Sequence, residues 1–167
     1  MFSRIKARFN DMSTIKSLCE AAEAYALQDQ QREPGAEHFL LAALDLPDGT
    51  ARLTFERIRA DPEALKPAIA RQYGDALAAI GLDVGAAASA GYAPLAARPG
   101  PFNASASGQE IMQQLAAERK AHGPLLGAHV VATIASMQHG VAARALRAMG
   151  VDAGMLKAAA EEIAKGS

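Results

Sequence analysis

Apolar residues recur along two stretches of the chain at the three- and four-residue intervals that place side chains on one face of an α-helix. The first stretch follows Asn10 and has apolar residues at Ile15, Leu18, Ala22, Tyr25 and Ala26. The second follows Asn103 and has them at Ile111, Leu115 and Ala116. An Asn side chain can accept from free N–H groups at a helix start, so Asn10 and Asn103 are predicted as N-caps.

Two shorter runs are apolar nearly all round. They read FLLAAL at residues 39–44 and VVATIASM at residues 130–137. A helix without a polar face belongs in the middle of a bundle, so both runs are predicted to be buried helices. A histidine precedes each run, His38 in the first case and His129 in the second.

Glycine and aspartate mark where further helices begin. Gly49 and Gly140 are predicted breaks before two third helices, GTARLTFERI and GVAARALRAM. Asp61 and Asp152 are predicted caps of two fourth helices, and Pro62 suits the first turn of a helix, where its missing N–H costs nothing.

The order of these signals indicates that the chain contains an internal duplication. When the chain is aligned with itself at an offset of 91 residues, the histidine, glycine and aspartate signals of the first copy fall on those of the second. An offset of 93 residues aligns the first helix of each copy. The pairs brought into register are His38 with His129, Gly49 with Gly140, Asp61 with Asp152 and, at the shift of 93, Asn10 with Asn103. The loop before the histidine is therefore two residues longer in the first copy.

This pattern predicts an all-α protein of two tandem four-helix repeats, about eight helices in all. The first repeat covers residues 1–80 and the second covers residues 102–167, joined by a Gly-, Ala- and Pro-rich connector at 81–101. Neither repeat alone buries much surface, so we expect the two to pack together about a pseudo-twofold axis as one compact domain.

Composition supports the all-α prediction and narrows the function. Of 167 residues, 50% are hydrophobic but only 5% aromatic, and alanine, the best helix former, is very frequent. The net charge of −1 offers no basic surplus for neutralising phosphates, so nucleic acid is not expected as a partner. A single cysteine, Cys19, indicates a reducing compartment. No stretch approaches the roughly 20 apolar residues of a membrane span, and the protein is predicted to be cytoplasmic.

The twice-repeated unit resembles the Clp N-terminal domain, the helical repeat domain that precedes the ATPase modules of ClpA- and ClpC-type unfoldases. The family motif Gly-Thr-Glu-His followed by a Leu-rich run matches PGAEHFLLAAL at 34–44, including Gly35, Glu37 and His38. The stretch GVAARALRAMGVD at 140–152 matches the third helix of the family. In the second copy the glutamate of the motif is replaced by Ala128.

The resemblance implies a non-enzymatic protein-binding module without a cofactor. Its expected partners are substrate proteins or adaptors of a Clp-type ATPase and protease, and a chain of this kind would also regulate that protease by competing for adaptors. In related domains the motif glutamate is implicated in docking phosphorylated arginine together with the helix-start residue. The corresponding positions here are Glu37 with Asn10, and Asn103 in the second copy. The chain lacks a P-loop motif, so it is either a domain excised from such an ATPase or a stand-alone protein of this type, and Met1 and the atypical loops favour the second.

The alternative is a small helical enzyme or metal-binding protein that uses Glu37 and His38, with a cleft near His122. The sequence EHFLLA does not have the His-Glu-x-x-His spacing of a zinc site, so neither a metal site nor a catalytic residue is predicted. We expect His38 and His129 to be structural instead, each capping its buried helix and bonding a loop carbonyl. Glu37→Ala is then expected to leave folding nearly intact.

Overall fold

The computed structural model describes residues 2–82, Leu95 and residues 102–167, apart from the side chains of residues 2–5, 7 and 9. In this part of the chain there are eight α-helices and no β-strand, which confirms the all-α prediction. The helices are α1 (Phe2–Gln28), α2 (Ala36–Leu44), α3 (Thr50–Arg57), α4 (Leu65–Ala79), α5 (Ala106–Glu118), α6 (Gly127–Ala135), α7 (Val141–Ala148) and α8 (Ala153–Gly166), with a short 3-10 helix at Pro62–Ala64 before α4.

The two short apolar helices form the centre of the molecule, as their sequences predict. Every residue of α2 is buried, and so is almost all of α6, which packs against it. Phe39 of α2 and Val130 of α6 are completely buried. Burying a side chain of this size contributes roughly 1.5–3 kcal/mol, so the central pair carries a large share of the stabilising burial.

The other helices surround this pair. Helix α1 packs on α2, and α8 packs on α6. Helix α3 also contacts α8, and α4 contacts α7. Small residues permit the close approach: a Cβ atom on Gly127 would lie 3.0 Å from the Cβ of Ala51, where α6 begins against α3.

The predicted N-caps at the two asparagines are wrong. Helix α1 begins at Phe2, so Asn10 lies inside it, and its carbonyl oxygen accepts from Thr14 Oγ1 at 2.9 Å. Asparagine costs only a fraction of a kcal/mol in a helix interior, too little to break a helix whose neighbouring residues favour it. Asn103 stands three residues before α5 and donates its amide to Glu33 Oε1 at 2.5 Å. Ser105 occupies the N-cap position instead.

The predicted glycine breaks and the Asp152 cap are confirmed, whereas Asp61 caps the 3-10 helix that precedes α4 and not α4 itself. Gly49 and Gly140 immediately precede α3 and α7 with φ angles of 69° and 99°, which glycine adopts without steric cost. The Asp61 carboxylate accepts from the backbone N–H of Glu63 at 3.0 Å. Asp152 caps α8 in the same way.

The connector predicted at 81–101 falls almost wholly outside the described residues. The division into residues 1–80 and 102–167 therefore stays a prediction. Among the helices that are described, none is both long enough and apolar enough to cross a membrane.

Candidate functional site

His38 is the best-defined polar group of the core. Its side chain is 0% exposed, and it stands at the third position of α2. Nδ1 lies 3.0 Å from the backbone nitrogen of Gly35, and Nε2 lies 3.0 Å from Asp29 Oδ2. A backbone N–H can only donate, so Nδ1 is the acceptor and the neutral ring carries its proton on Nε2, which donates to Asp29.

His129 makes the corresponding bond at the start of α6. Its Nδ1 accepts from the backbone N–H of Leu126 at 3.0 Å. Burial, reinforced by the neighbouring His122, lowers the pKa of His129 below its ordinary value of 6.5. A proton on Nδ1 would also face the N–H of Leu126, so the neutral ring is the form that caps the helix. Both histidines thus serve as the return half of a capping box.

This arrangement leaves neither ring suited to ligating a metal or accepting a proton from a substrate. A histidine binds a metal through the lone pair of one nitrogen while the other nitrogen donates its N–H. In His38 the lone pair of Nδ1 already takes a backbone N–H, and Nε2 carries the proton. No group of three or more His, Cys, Asp or Glu side chains with metal-binding geometry occurs in the ranges that the structure describes.

The expected loop contact of His38 is therefore present, but its partner is the Asp29 carboxylate and not a backbone carbonyl. Asp29 follows the last residue of α1, so the bond ties the end of α1 to the start of α2. The capping role is as predicted.

Glu37 lies in the first turn of α2, where the helix dipole favours a negative charge. It is only 5% exposed, and its Oε1 accepts from the hydroxyl of Tyr73. Burial, followed by this bond to Glu37, raises the pKa of the Tyr73 phenol. The carboxylate also curls back over Gly35, where a Cβ atom would lie 2.7 Å from Glu37 Oε2. We therefore expect Glu37→Ala to destabilise the fold, whereas the sequence alone led us to expect that folding would stay nearly intact.

The hydrogen bonds across the molecule join the start of α2 to the start of α5. Ser107 Oγ accepts from the backbone N–H of Ala36 at 3.1 Å, and the carbonyl of Pro34 accepts from the backbone N–H of Ser105 at 3.1 Å. A Cβ atom on Gly108 would lie 2.4 Å from that carbonyl oxygen, so this contact depends on a glycine. Glu37 consequently shares its end of the fold with the segment that holds Asn103.

Asn10 lies beside a different site. Its neighbour Asp11 accepts from the backbone N–H of Leu125 at 2.8 Å, next to the start of α6. The Asp11 carboxylate also lies 3.5 Å from Arg119 Nε. These bonds link α1 to the loop before α6, and none of the hydrogen bonds among the described residues joins Asn10 to Glu37, so their pairing stays a prediction.

Asp48 and Thr50 hold the first N–H groups of α6. Asp48 Oδ2 accepts from Gly127 at 3.1 Å, and Thr50 Oγ1 accepts from Ala128 at 2.8 Å. Thr50 Oγ1 in turn donates to Asp48 Oδ1. The start of α6, which has no side-chain acceptor of its own at Leu126, is satisfied by residues around the Gly49 turn.

Five partners of the two histidine-led helices were not predicted from the sequence: Asp29, Tyr73, Asp48, Thr50 and Ser107. The Asp-Gly-Thr turn at 48–50 is a recognisable signal, because aspartate before glycine commonly bonds the backbone two residues on. Tyr73 has no such signal, since it meets Glu37 only when α4 folds back against α2.

A cavity of about 440 Å³ adjoins His129. It lies between the end of α5, the loop at 121–126 and the end of α8, and its polar lining includes Glu118, His122, Glu161 and Lys165. The rings of His122 and His129 are 4.4 Å apart between centroids. A second cavity of about 600 Å³ lies between the end of α6 and residues 146–154.

Comparison of the sequence with protein-family models and with curated proteins finds no match.

Proposed function

We propose that this chain is a non-enzymatic protein-binding module of the Clp N-terminal type. It recognises substrate proteins or adaptors for a Clp-type ATP-dependent unfoldase and protease in the cytoplasm, or regulates that machine by competing for its adaptors. The proposal extends the resemblance of PGAEHFLLAAL and GVAARALRAMGVD, which stand at residues 34–44 and 140–152.

The observation that carries the proposal is the shared role of the two histidines. His38 and His129 each accept the backbone N–H three residues earlier with Nδ1, at 3.0 Å. Because the Nδ1 lone pair of each histidine accepts a backbone N–H at the start of its helix, the two side chains that suggested a catalytic or metal site stabilise the fold. This favours a binding function over the alternative enzyme or metal protein built on Glu37 and His38.

The packing is consistent with the proposed duplication. In the predicted repeat, α3 and α4 are the third and fourth helices of the first copy, and α7 and α8 are those of the second. The contacts of α3 with α8 and of α4 with α7 are the exchange expected from a pseudo-twofold axis that passes between α2 and α6.

Exposed apolar side chains on the surface can contact other proteins. Burial, with smaller effects of Glu20 and Glu23, raises the pKa of the Cys19 thiol to about 11, which lowers the fraction of reactive thiolate. Six large apolar side chains are exposed among the described residues, and aromatic and Met side chains are enriched in protein–protein interfaces. They are Met12, Leu53, Ile80, Leu82, Phe102 and Met155.

Glu37 remains the proposed ligand contact of the first copy, with Asn103 as its companion. Asn103 bonds Glu33, four residues before Glu37, and the Ser105 that follows it bonds Pro34. A ligand guanidinium would have to displace the Tyr73 hydroxyl from the carboxylate. Asn10 belongs to the corresponding place near α6, where Ala128 offers no carboxylate.

The test is a degradation assay with a purified Clp-type ATPase, its peptidase and a fluorescent protein substrate. Adding the chain should change the degradation rate in a saturable way. A rise indicates an adaptor-like role and a fall indicates competition for the binding site, so the sign separates the two forms of the proposal.

The control is an unrelated all-α protein of similar size and charge at the same concentration. Equal rates with the chain and with the control, together with no binding to the ATPase or its adaptors, would count against the proposal. A turnover that wild type catalyses and that is lost in a well-folded His38→Gln variant would support the enzymatic alternative instead.

A further inference from the structure

His129 is a buried side chain with one polar atom left over. It is 7% exposed, and its Nδ1 accepts the backbone N–H of Leu126. The neutral ring must therefore carry its proton on Nε2. Within the ranges that the structure covers, no acceptor lies within hydrogen-bond distance of this N–H.

The ring of His129 lines the 440 Å³ cavity and also a smaller cleft beside Asp11 and Arg119. Among the described residues, every buried side-chain nitrogen and oxygen has a hydrogen-bond partner. An unpartnered Nε2 is thus the part of the ring that reaches open space. The larger open space that His129 lines is this cavity, between the end of α5 and the end of α8.

Comparison with His38 explains why the donor is left over. His38 Nε2 donates to Asp29, nine residues earlier. At His129 the neighbouring side chain is His122, seven residues earlier, which agrees with the two-residue shorter loop of the second copy. The imidazole of His122 stands where the first copy has a carboxylate, and it does not accept the proton.

The rim of the cavity carries more negative than positive charge. Glu118 and Glu161 line it, with side chains 41% and 49% exposed, against one ammonium group at Lys165. Each acid has an exposed partner four residues away, His122 at 3.7 Å and Lys157 at 4.0 Å, and such exposed pairs are weak enough for a bound cation to replace. Lys165 is exposed and its flexible stem can turn towards solvent. The remaining lining includes Ala132 and Ala164, whose methyl groups can contact the aliphatic stem of a long cationic side chain.

We propose that this cavity binds a peptide segment bearing a lysine or arginine side chain. A carbonyl oxygen of the peptide accepts from His129 Nε2–H, and the cation lies between the carboxylates of Glu118 and Glu161. This inference rests on the proposed protein-binding function and names the class of segment that the second copy recognises.

The experiment titrates the ¹⁵N-labelled full chain with the blocked peptide acetyl-Ala-Arg-Ala-amide and follows amide and imidazole resonances by NMR. The acidic peptide acetyl-Ala-Glu-Ala-amide is the matched probe of opposite charge. We expect saturable shifts at residues 121–129, including a shift of the His129 Nε2 resonance, with the arginine peptide only.

Two pairs of variants locate the site without disturbing the His129 cap. Ala121→Leu narrows the cavity from an exposed position that lines it, whereas Ala148→Leu adds the same bulk at an exposed position of α7 outside the cavity. Glu161→Gln removes a rim charge, whereas Glu162→Gln removes an equal charge from a residue that pairs with Arg57. We expect Ala121→Leu and Glu161→Gln to weaken binding by about tenfold and their controls by less than about twofold.

The outcomes separate this inference from the function on which it rests. Arginine-peptide binding that maps away from His129, or that Ala121→Leu leaves unchanged, overturns the cavity assignment while leaving a peptide-binding function in place. Equal binding of the acidic and basic peptides overturns the charge argument. No binding of either peptide, together with no effect of the chain in the degradation assay, would overturn both proposals.

Discussion

Replacing His38 by alanine tests the structural role of the histidines most sharply. The side chain is completely buried and makes two hydrogen bonds of 3.0 Å, one from the N–H of Gly35 and one to Asp29. His38→Ala leaves the buried Gly35 N–H without a partner, while Asp29 can turn its carboxylate towards water because its side chain is 18% exposed. The loss therefore falls mainly on the start of α2.

The magnitude follows from two contributions to the free energy of unfolding. An unsatisfied buried N–H costs about 1–3 kcal/mol. The space left by the imidazole adds about 1–2 kcal/mol, for a residual cavity of roughly 50–80 Å³ at about 24 cal/mol per Å³. The expected loss is thus about 2–5 kcal/mol, a large fraction of the roughly 5–15 kcal/mol of a typical domain.

The assay is urea unfolding followed by circular dichroism at 222 nm, with His38→Gln as the matched control. A glutamine oxygen can accept the Gly35 N–H as in a standard capping box, so this variant should recover about 1–2 kcal/mol. A loss below about 0.5 kcal/mol for His38→Ala, or no difference between the two variants, would refute the capping argument.

Three further predictions address other contacts. The pKa of His129 is lower in the folded state, so the unfolded chain binds one more proton as the pH falls below about 6.5. The free energy of unfolding should therefore decline below that pH, and it should decline less in His129→Gln. Urea unfolding at pH 7.5 and pH 5.5 measures both, and an equal decline in the two proteins would contradict the prediction. Gly108→Ala should lower the melting temperature by several degrees, because its Cβ would lie 2.4 Å from a backbone oxygen, whereas Gly123→Ala should leave it nearly unchanged; equal effects would contradict the proposed close approach. Tyr73→Phe should destabilise the fold by about 1–3 kcal/mol, since it removes the donor to the buried Glu37 carboxylate, and a stability equal to wild type in urea would contradict that role.

Local patterns in the sequence predicted the helices because their signals lie within a few residues of one another. The apolar runs at 39–44 and 130–137 became the buried pair α2 and α6, since a helix without a polar face has only one stable location. The glycine before α3 and the aspartate before α8 were equally readable, because a positive φ angle and a cap are local requirements.

The asparagines show where local patterns fail. Asn10 has the chemistry of a cap, but whether a helix starts there depends on the residues before it, and α1 continues back to Phe2. At Asn103 the competing cap position, Ser105, is favoured by its bonds to the Pro34 carbonyl, which come from a distant part of the chain.

The candidate site depends even more on contacts between distant residues. Motif matching identified Glu37 and His38, but their partners Tyr73 and Asp29 belong to other helix ends. The sequence indicated the cavity at His129 only through the cleft expected near His122. The unpartnered Nε2 of His129 could not be predicted, because that required knowing that the backbone N–H of Leu126 donates to Nδ1.

The most direct test of the central proposal is the equilibrium binding of the purified, fluorescently labelled chain to a purified Clp-type ATPase and to its adaptors, measured by fluorescence anisotropy. The account predicts a saturable rise with at least one of them, reversed by excess unlabelled chain. Anisotropy that stays flat with every one of these proteins, for a chain shown by circular dichroism to be folded, would contradict it.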